Sequence, residues 1–267
     1  MKELFLEKKG IYYRMNEFER NRPTLLFIHG LSSSSSAWID YEKKFENKYN
    51  IVLPDLRGHG NSHKLKSYDD YKISKLADDI YDLVTHLNLE KFFLISHSFG
   101  TLIALEFLVS HQDRVRGAIF LSPSSNAGKR VAVKIIKPFL GLGHLFPARN
   151  NKGHVEYSKY KGTGDWNIWR LSADILNTST RVYLFCTKQS YGFNRENFLE
   201  KIHIPTLLIH GKDDTIFPVE NSVLMDKKMK NSELILLDNT DHIIVLNNAS
   251  EICAAIENFV ENNYNKL

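Results

Sequence analysis

The stretch Phe92-Phe93-Leu94-Ile95-Ser96-His97-Ser98-Phe99-Gly100-Thr101-Leu102 passes from one apolar run, through a short polar turn, into another. The run ahead of the turn reads as a strand buried on both faces, and Phe99 to Ser110 reads as a helix that is apolar nearly all round and therefore buried. Ser98 stands at the apex between them. A strained turn of this kind lifts a hydroxyl clear of the backbone at the C-terminal edge of a sheet and aims the next backbone N–H at a reacting carbonyl oxygen. Strand and helix approach closely there, so small residues are needed two positions before and after the apex. Gly100 meets the second requirement, and Ser96 stands where glycine is usual.

Outward from this turn, strand and helix patterns alternate. Thr24 to Ile28 is an apolar run ending at His29-Gly30, and the serine run Ser32 to Ser36 leads into a helix at about Ala37 to Asn47. Ile51-Val52-Leu53 reads as a strand closed by Pro54. Ile73, Leu76, Ala77, Ile80, Leu83, Val84 and Leu87 recur at steps of three and four, which predicts an amphipathic helix over Tyr71 to Leu89. Val115 to Leu121, Pro205 to Ile209 and Leu234 to Leu237 read as strands, with helices at Val219 to Met229 and Glu251 to Val260. Leu4 to Leu6 and Ile11 to Arg14 form an opening hairpin with Lys9-Gly10 at its turn. Such an order predicts an α/β fold with a mostly parallel central sheet flanked by helices.

The alternation stops between Ser122 and about Asn197, where Gly, Lys and aromatics accumulate: Phe139, Phe146, Tyr157, Tyr160, Trp166, Trp169, Tyr183, Phe185, Tyr191 and Phe193. An insertion of about 70 residues is too long for an ordinary loop and should carry helices of its own. The expected organisation is a core of residues 1–122 and 198–267, with residues 123–197 as a helical cap inserted after the sixth strand. Most of the cap aromatics are expected to pack as its core, and a minority to face Ser98.

Composition bounds the rest. With 43% apolar and 25% charged residues, long disorder and fibrous classes are excluded. Lys+Arg of 35 against Asp+Glu of 31 gives a net charge of +4 with both signs interspersed, read as a solvated surface with no nucleic-acid partner. Cys186 and Cys253 match no disulfide framework or metal spacing, and no histidine pair has metal spacing with a carboxylate nearby, so neither metal nor cofactor is expected. The opening MKELFLEKKGIYYRM has too short an apolar patch for a secretory signal, and no segment approaches the roughly 18 apolar residues of a membrane span. A cytoplasmic protein without a membrane span is the expectation, with homodimer formation left open.

A serine hydroxyl is a poor nucleophile until a base removes its proton. Two further strand ends supply candidates. Leu207 to Ile209 runs into His210-Gly211-Lys212-Asp213-Asp214-Thr215-Ile216-Phe217-Pro218, and Leu234 to Leu237 runs into Asp238-Asn239-Thr240-Asp241-His242. Every group lies just past a strand's C-terminal end, where ligands gather in open α/β sheets, and the three come in the chain order Ser, Asp, His. Ser98 is thus the candidate nucleophile and His242 the base, with Asp214 or Asp213 as the acid.

The chain resembles the α/β-hydrolase family, in particular its small capped branch. His29-Gly30-Leu31, Asp55 to Ser62, Ser96 to Gly100, Leu121-Ser122-Pro123, Gly211 to Pro218 and Asp241-His242 match in order. Two departures are Ser96 and Asp241, both at positions where the family usually has glycine. Family spacing after Gly211 favours Asp214 over Asp213 as the acid. The resemblance implies an oxyanion hole from the backbone N–H groups of Leu31 and Phe99, each such donor being worth about 10²–10³ in rate. His29 is implied to shape the oxyanion loop, Arg57 and His59 to bond within their own loop, and His97 to pack away from the serine hydroxyl. His203 and His210 read as satisfied polar positions flanking a strand.

The activity so implied is cleavage of a small carboxylic ester or similar acyl substrate through an acyl-enzyme. Haloalkane dehalogenases and epoxide hydrolases of this fold place aspartate at the Ser98 position and are disfavoured. Carbon–carbon bond hydrolysis, acyl transfer, or a non-catalytic member that binds a small molecule remain the alternatives.

Overall fold

The computed structural model describes residues 1–129, 140–147, 149 and 151–264. Its centre is an eight-stranded sheet: β1 (Lys2–Leu6), β2 (Ile11–Met15), β3 (Thr24–Ile28), β4 (Asn50–Pro54), β5 (Phe92–His97), β6 (Val115–Leu121), β7 (Thr206–Gly211) and β8 (Ser232–Leu237). The spatial order is β1-β2-β4-β3-β5-β6-β7-β8. The hairpin β1–β2 joins β4 antiparallel, and all pairings from β4 to β8 are parallel.

Why β3, β5 and β6 carry the apolar runs Leu25–Ile28, Phe92–Ile95 and Ala118–Leu121 is plain from their two faces. Leu26, Ile28, Leu94, Ala118 and Phe120 enter one core cluster with α2 (Ile73–His86) and α3 (Phe99–His111). Leu25, Phe27, Phe93, Ile95, Ile119 and Leu121 enter a second cluster, on the other face, with α1 (Ile39–Phe45) and the C-terminal helix. With a side-chain period of two, a strand sandwiched between helix layers must be apolar at every position. The expected helix over Tyr71 to Leu89 is interrupted at its start: a 3₁₀ turn at Tyr68–Tyr71 is capped by Ser67, and the extended Lys72 (ψ 136°) delays α2 to Ile73.

The connection from β6 to β7 carries α4 (Ile168–Thr178) and α5 (Thr180–Gly192). Helix α4 is amphipathic with its sense inverted: Arg170, Asp174 and Thr178 are buried, while Ile168 and the adjoining Trp169 are 65% and 73% exposed. The aromatics divide differently from expectation. Tyr157, Phe185 and Phe193 are buried, but Trp169 lies on the surface because α4 turns its polar stripe inward, and Trp166, just ahead of α4, is exposed as well. Phe139 lies outside the described residues. Beyond β7 come α6 (Glu220–Lys228), the short α7 (Ile244–Asn247) and α8 (Ala249–Tyr264), the last longer at both ends than its apolar period indicates. Among the described residues no helix is long and apolar enough to cross a membrane.

Candidate active site

Ser98 joins β5 to α3 with φ 50° and ψ −116°, a left-handed conformation that a non-glycine residue adopts only under constraint. The constraint is visible: the Ser98 N–H donates to the Leu121 carbonyl at 3.0 Å, pinning the elbow to the end of β6. A Cβ on Gly100 would lie 2.6 Å from the Ile28 carbonyl oxygen and 2.7 Å from that of His29, so only glycine lets α3 start this close to β3. Ser96, paired between Ile28 and Phe120, fits in place of glycine, although its buried hydroxyl finds no partner among the described residues.

The loops after β7 and β8 bring the other two groups to this point. His242 Nε2 lies 2.7 Å from Ser98 Oγ, and His242 Nδ1 lies 2.6 Å from Asp214 Oδ2. A carboxylate only accepts, so Nδ1 carries the hydrogen and Nε2 presents its lone pair to the serine hydroxyl. Asp214 Oδ1 accepts the backbone N–H groups of Ile216 (2.8 Å) and Phe217 (2.7 Å), which fixes the carboxylate plane. Burial opposes ionisation of Asp214, yet the facing His242 and His210 outweigh it and hold the carboxyl well below the usual range. Asp213, the competing acid, is exposed.

His210 does more than satisfy a strand edge. Its Nε2–H is shared between the Phe217 carbonyl and Asp214 Oδ2, both at 3.0 Å, and its Nδ1 accepts from Ser222 Oγ at 2.5 Å. His97 turns from the serine hydroxyl as expected, but its Nε2–H donates to the backbone carbonyl of His242 at 3.0 Å. Burial and the neighbouring His242 push its pKa down to about 3, so it is a neutral fixture. Neither contact is legible in the sequence, since the partners of His97 are separated by 145 positions.

The segment expected to form the oxyanion loop also meets Ser98. A Cβ on Gly30 would stand 3.5 Å from Ser98 Cβ, so the backbone there passes directly beside Ser98. His29 accepts the Leu56 N–H through Nε2 (2.9 Å) and donates through Nδ1 to the Gly30 carbonyl (2.8 Å), and burial lowers its pKa to about 4. His59 bonds within its own loop as expected, to the Arg57 carbonyl, but Arg57 does not: its guanidinium reaches out of the loop to Asp79 of α2 and to the Asp70 carbonyl. Phe99 is the first residue of α3, where backbone N–H groups have no partner one turn back.

Ser98, His242, Leu31 and Phe99 line one cavity of about 310 Å³. Apolar walls come from residues such as Leu171, Phe217 and Val245, while Arg170, Asp174 and Tyr157 make one region polar. These three are linked: Arg170 Nη1 lies 3.2 Å from Asp174 Oδ2, and the Tyr157 hydroxyl donates to Asp174 Oδ1 at 2.7 Å. Burial raises the Asp174 pKa to about 6. The period of α4 marks a helix, but polar positions on such a period ordinarily read as solvent-facing, so this cluster escaped sequence reasoning.

Residues 23–249 match the family described as alpha/beta hydrolase fold. The chain belongs to that family. Among its alpha/beta hydrolase relatives is the non-heme chloroperoxidase CPO-A1 of Kitasatospora aureofaciens, 28% identical over 90% of this chain and 91% of the relative. A putative esterase/lipase of Haemophilus influenzae is 23% identical over 97% of this chain and 91% of the relative. The alpha/beta hydrolase enzyme MGS-M2, from a Medee basin deep-sea metagenome library, shares the fold with a TM-score of 0.78 at 19% identity, covering 97% of both chains.

Proposed function

We propose that this alpha/beta hydrolase is a serine hydrolase that cleaves a small carboxylic ester, or a similar acyl substrate, through an acyl-enzyme. The observation that carries the reading is His242 set between Ser98 Oγ at 2.7 Å and Asp214 Oδ2 at 2.6 Å. In the reading, Nε2 takes the Ser98 proton as Oγ attacks the carbonyl carbon. The imidazolium then formed gives that proton to the leaving alcohol. Water, deprotonated by the same nitrogen, attacks the acyl-enzyme, and collapse returns the Ser98 hydroxyl and the free acid. Asp214 keeps the hydrogen on Nδ1 and stabilises the imidazolium. Backbone N–H groups of Leu31 and Phe99 receive the developing oxyanion.

Residues 123–197 act in this account as a cap over the cavity. The similarity to the H. influenzae putative esterase/lipase supports ester chemistry. A cavity of about 310 Å³ with mixed walls suits a short or medium acyl group better than a long-chain lipid. The test is hydrolysis of p-nitrophenyl esters from acetate to long-chain acyl groups by wild type and Ser98→Ala. Turnover favouring the shorter esters and abolished in the variant is expected. Equal turnover in both proteins would overturn the serine mechanism.

A further inference from the structure

The β6–β7 connection reaches into the reacting loops at one buried carboxylate. Asp165 Oδ1 accepts the backbone N–H of His242 at 2.7 Å. Its Oδ2 accepts both the N–H (2.9 Å) and the hydroxyl (2.6 Å) of Thr215, the residue that follows Asp214. One side chain thus ties the loop bearing the base to the loop bearing the acid. The surroundings are held as well: Arg170 Nη2 donates to the backbone carbonyl of Asp165 at 2.7 Å, and the indole of Trp166 donates to Thr215 Oγ1 at 2.9 Å.

The peptide at His242 is clamped from two directions, its N–H by Asp165 and its carbonyl by His97 at 3.0 Å. From the far end of α4, Thr178 Oγ1 donates to the Ser32 carbonyl at 3.1 Å, beside the segment passing Ser98. A segment whose only duty was to cover the cavity would have no need to supply acceptors to three backbone and side-chain donors of the reacting loops. The His242 N–H is buried, and left without an acceptor it would be an unsatisfied donor, so the loop bearing it favours this arrangement.

We propose that Asp165 is a positioning residue, through which the β6–β7 connection sets the geometry of His242 and of the Asp214 loop. The proposal rests on Ser98, His242 and Asp214 being the reacting set. Asp165 acts through two backbone segments and contributes a negative charge beside the imidazole. The charged or titratable groups around His242 are Asp214, His97, Asp165 and Asp241, with Arg170 behind Asp165. Asp241 is already pushed up, by burial first and Asp165 second.

The experiment compares Asp165→Ala and Asp165→Asn with wild type by the kcat and KM of p-nitrophenyl acetate turnover, by fluorophosphonate labelling, and by the NMR chemical shifts of the His242 ring. With Asp165→Ala, kcat is expected to fall about 10- to 100-fold while KM stays within about twofold, as for a misplaced group that does not bind substrate. Both variants should shift the resonances of the His242 ring, because the group bonded to its backbone N–H has changed. Asp165→Asn keeps an oxygen for one of the two backbone N–H groups, of His242 and Thr215, and should recover part of kcat. Wild-type kcat in the alanine variant, or unmoved His242 ring resonances in both variants, overturns the proposal. If wild type is not labelled at Ser98 the triad reading fails, and the ring resonances, which need no turnover, still decide the role of Asp165.

Discussion

Asp214→Asn changes one oxygen to an amide nitrogen, and the structure dictates which. The Oδ1 position accepts two backbone N–H groups, from Ile216 and Phe217, so the asparagine oxygen must remain there. The NH₂ is then forced to the Oδ2 position, 2.6 Å from His242 Nδ1 and facing the Nε2–H of His210. Donating to Nδ1, it drives the imidazole hydrogen to Nε2, the atom that should accept the Ser98 proton. Losing the correct tautomer and the carboxylate that stabilises the imidazolium lowers kcat about 10³–10⁴-fold in sites of this kind, or about 4–5 kcal/mol of barrier. His210 must also give up its bond to the Phe217 carbonyl to receive the new donor, which costs about 1–3 kcal/mol of stability. Stopped assays with p-nitrophenyl acetate and thermal unfolding read the two effects separately. Asp213→Asn, on the exposed neighbour, serves as the control and should stay within about twofold of wild type. Activity of Asp214→Asn within tenfold of wild type, or an equal loss in Asp213→Asn, would refute the reasoning.

Two further predictions concern stability. Ser96→Ala removes a buried hydroxyl without a partner, and should raise unfolding free energy by about 1 kcal/mol with activity within twofold; a loss of that size contradicts it. His29, His59 and His97 are pushed by burial to about 4, 3 and 3, whereas an unfolded chain takes up these protons near pH 6.5. The unfolded state binds more protons below that value, so the stability is fully present above about pH 6.5 and is lost as pH falls. By pH 5 the loss reaches about 2 kcal/mol per histidine. Denaturant titrations at pH 7 and pH 5 measure it, and His59→Phe should flatten the drop; the same drop in that variant would sink the assignment.

The sheet and the reacting groups are legible in the sequence because both depend on short-range order. A strand covered on both faces has to be largely apolar, as Thr24–Ile28 is; Ser98 follows such a strand directly, and Asp214 and His242 lie a few residues past β7 and the partly exposed β8. Asp214 was separable from Asp213 only through family spacing, and the two inward-turning backbone donors that orient it emerge only from the folded loop. The β6–β7 connection was less legible for a physical reason. Amphipathic period marks α4 as a helix but carries no sign, and its polar stripe faces a cavity while its tryptophan faces water. Nothing in the sequence therefore distinguishes Asp165, Arg170 and Asp174 from solvated surface charge. His97 and His210 act through partners whose proximity depends on the whole sheet.

The most direct measurement is intact-mass and peptide mapping after incubation with a fluorophosphonate, which reacts with a serine only when an adjacent base has activated it. A single adduct on Ser98 in wild type, absent in Ser98→Ala and strongly slowed in His242→Ala, is the expected result. No adduct, or an adduct formed at equal rate without His242, would contradict Ser98 as the activated nucleophile.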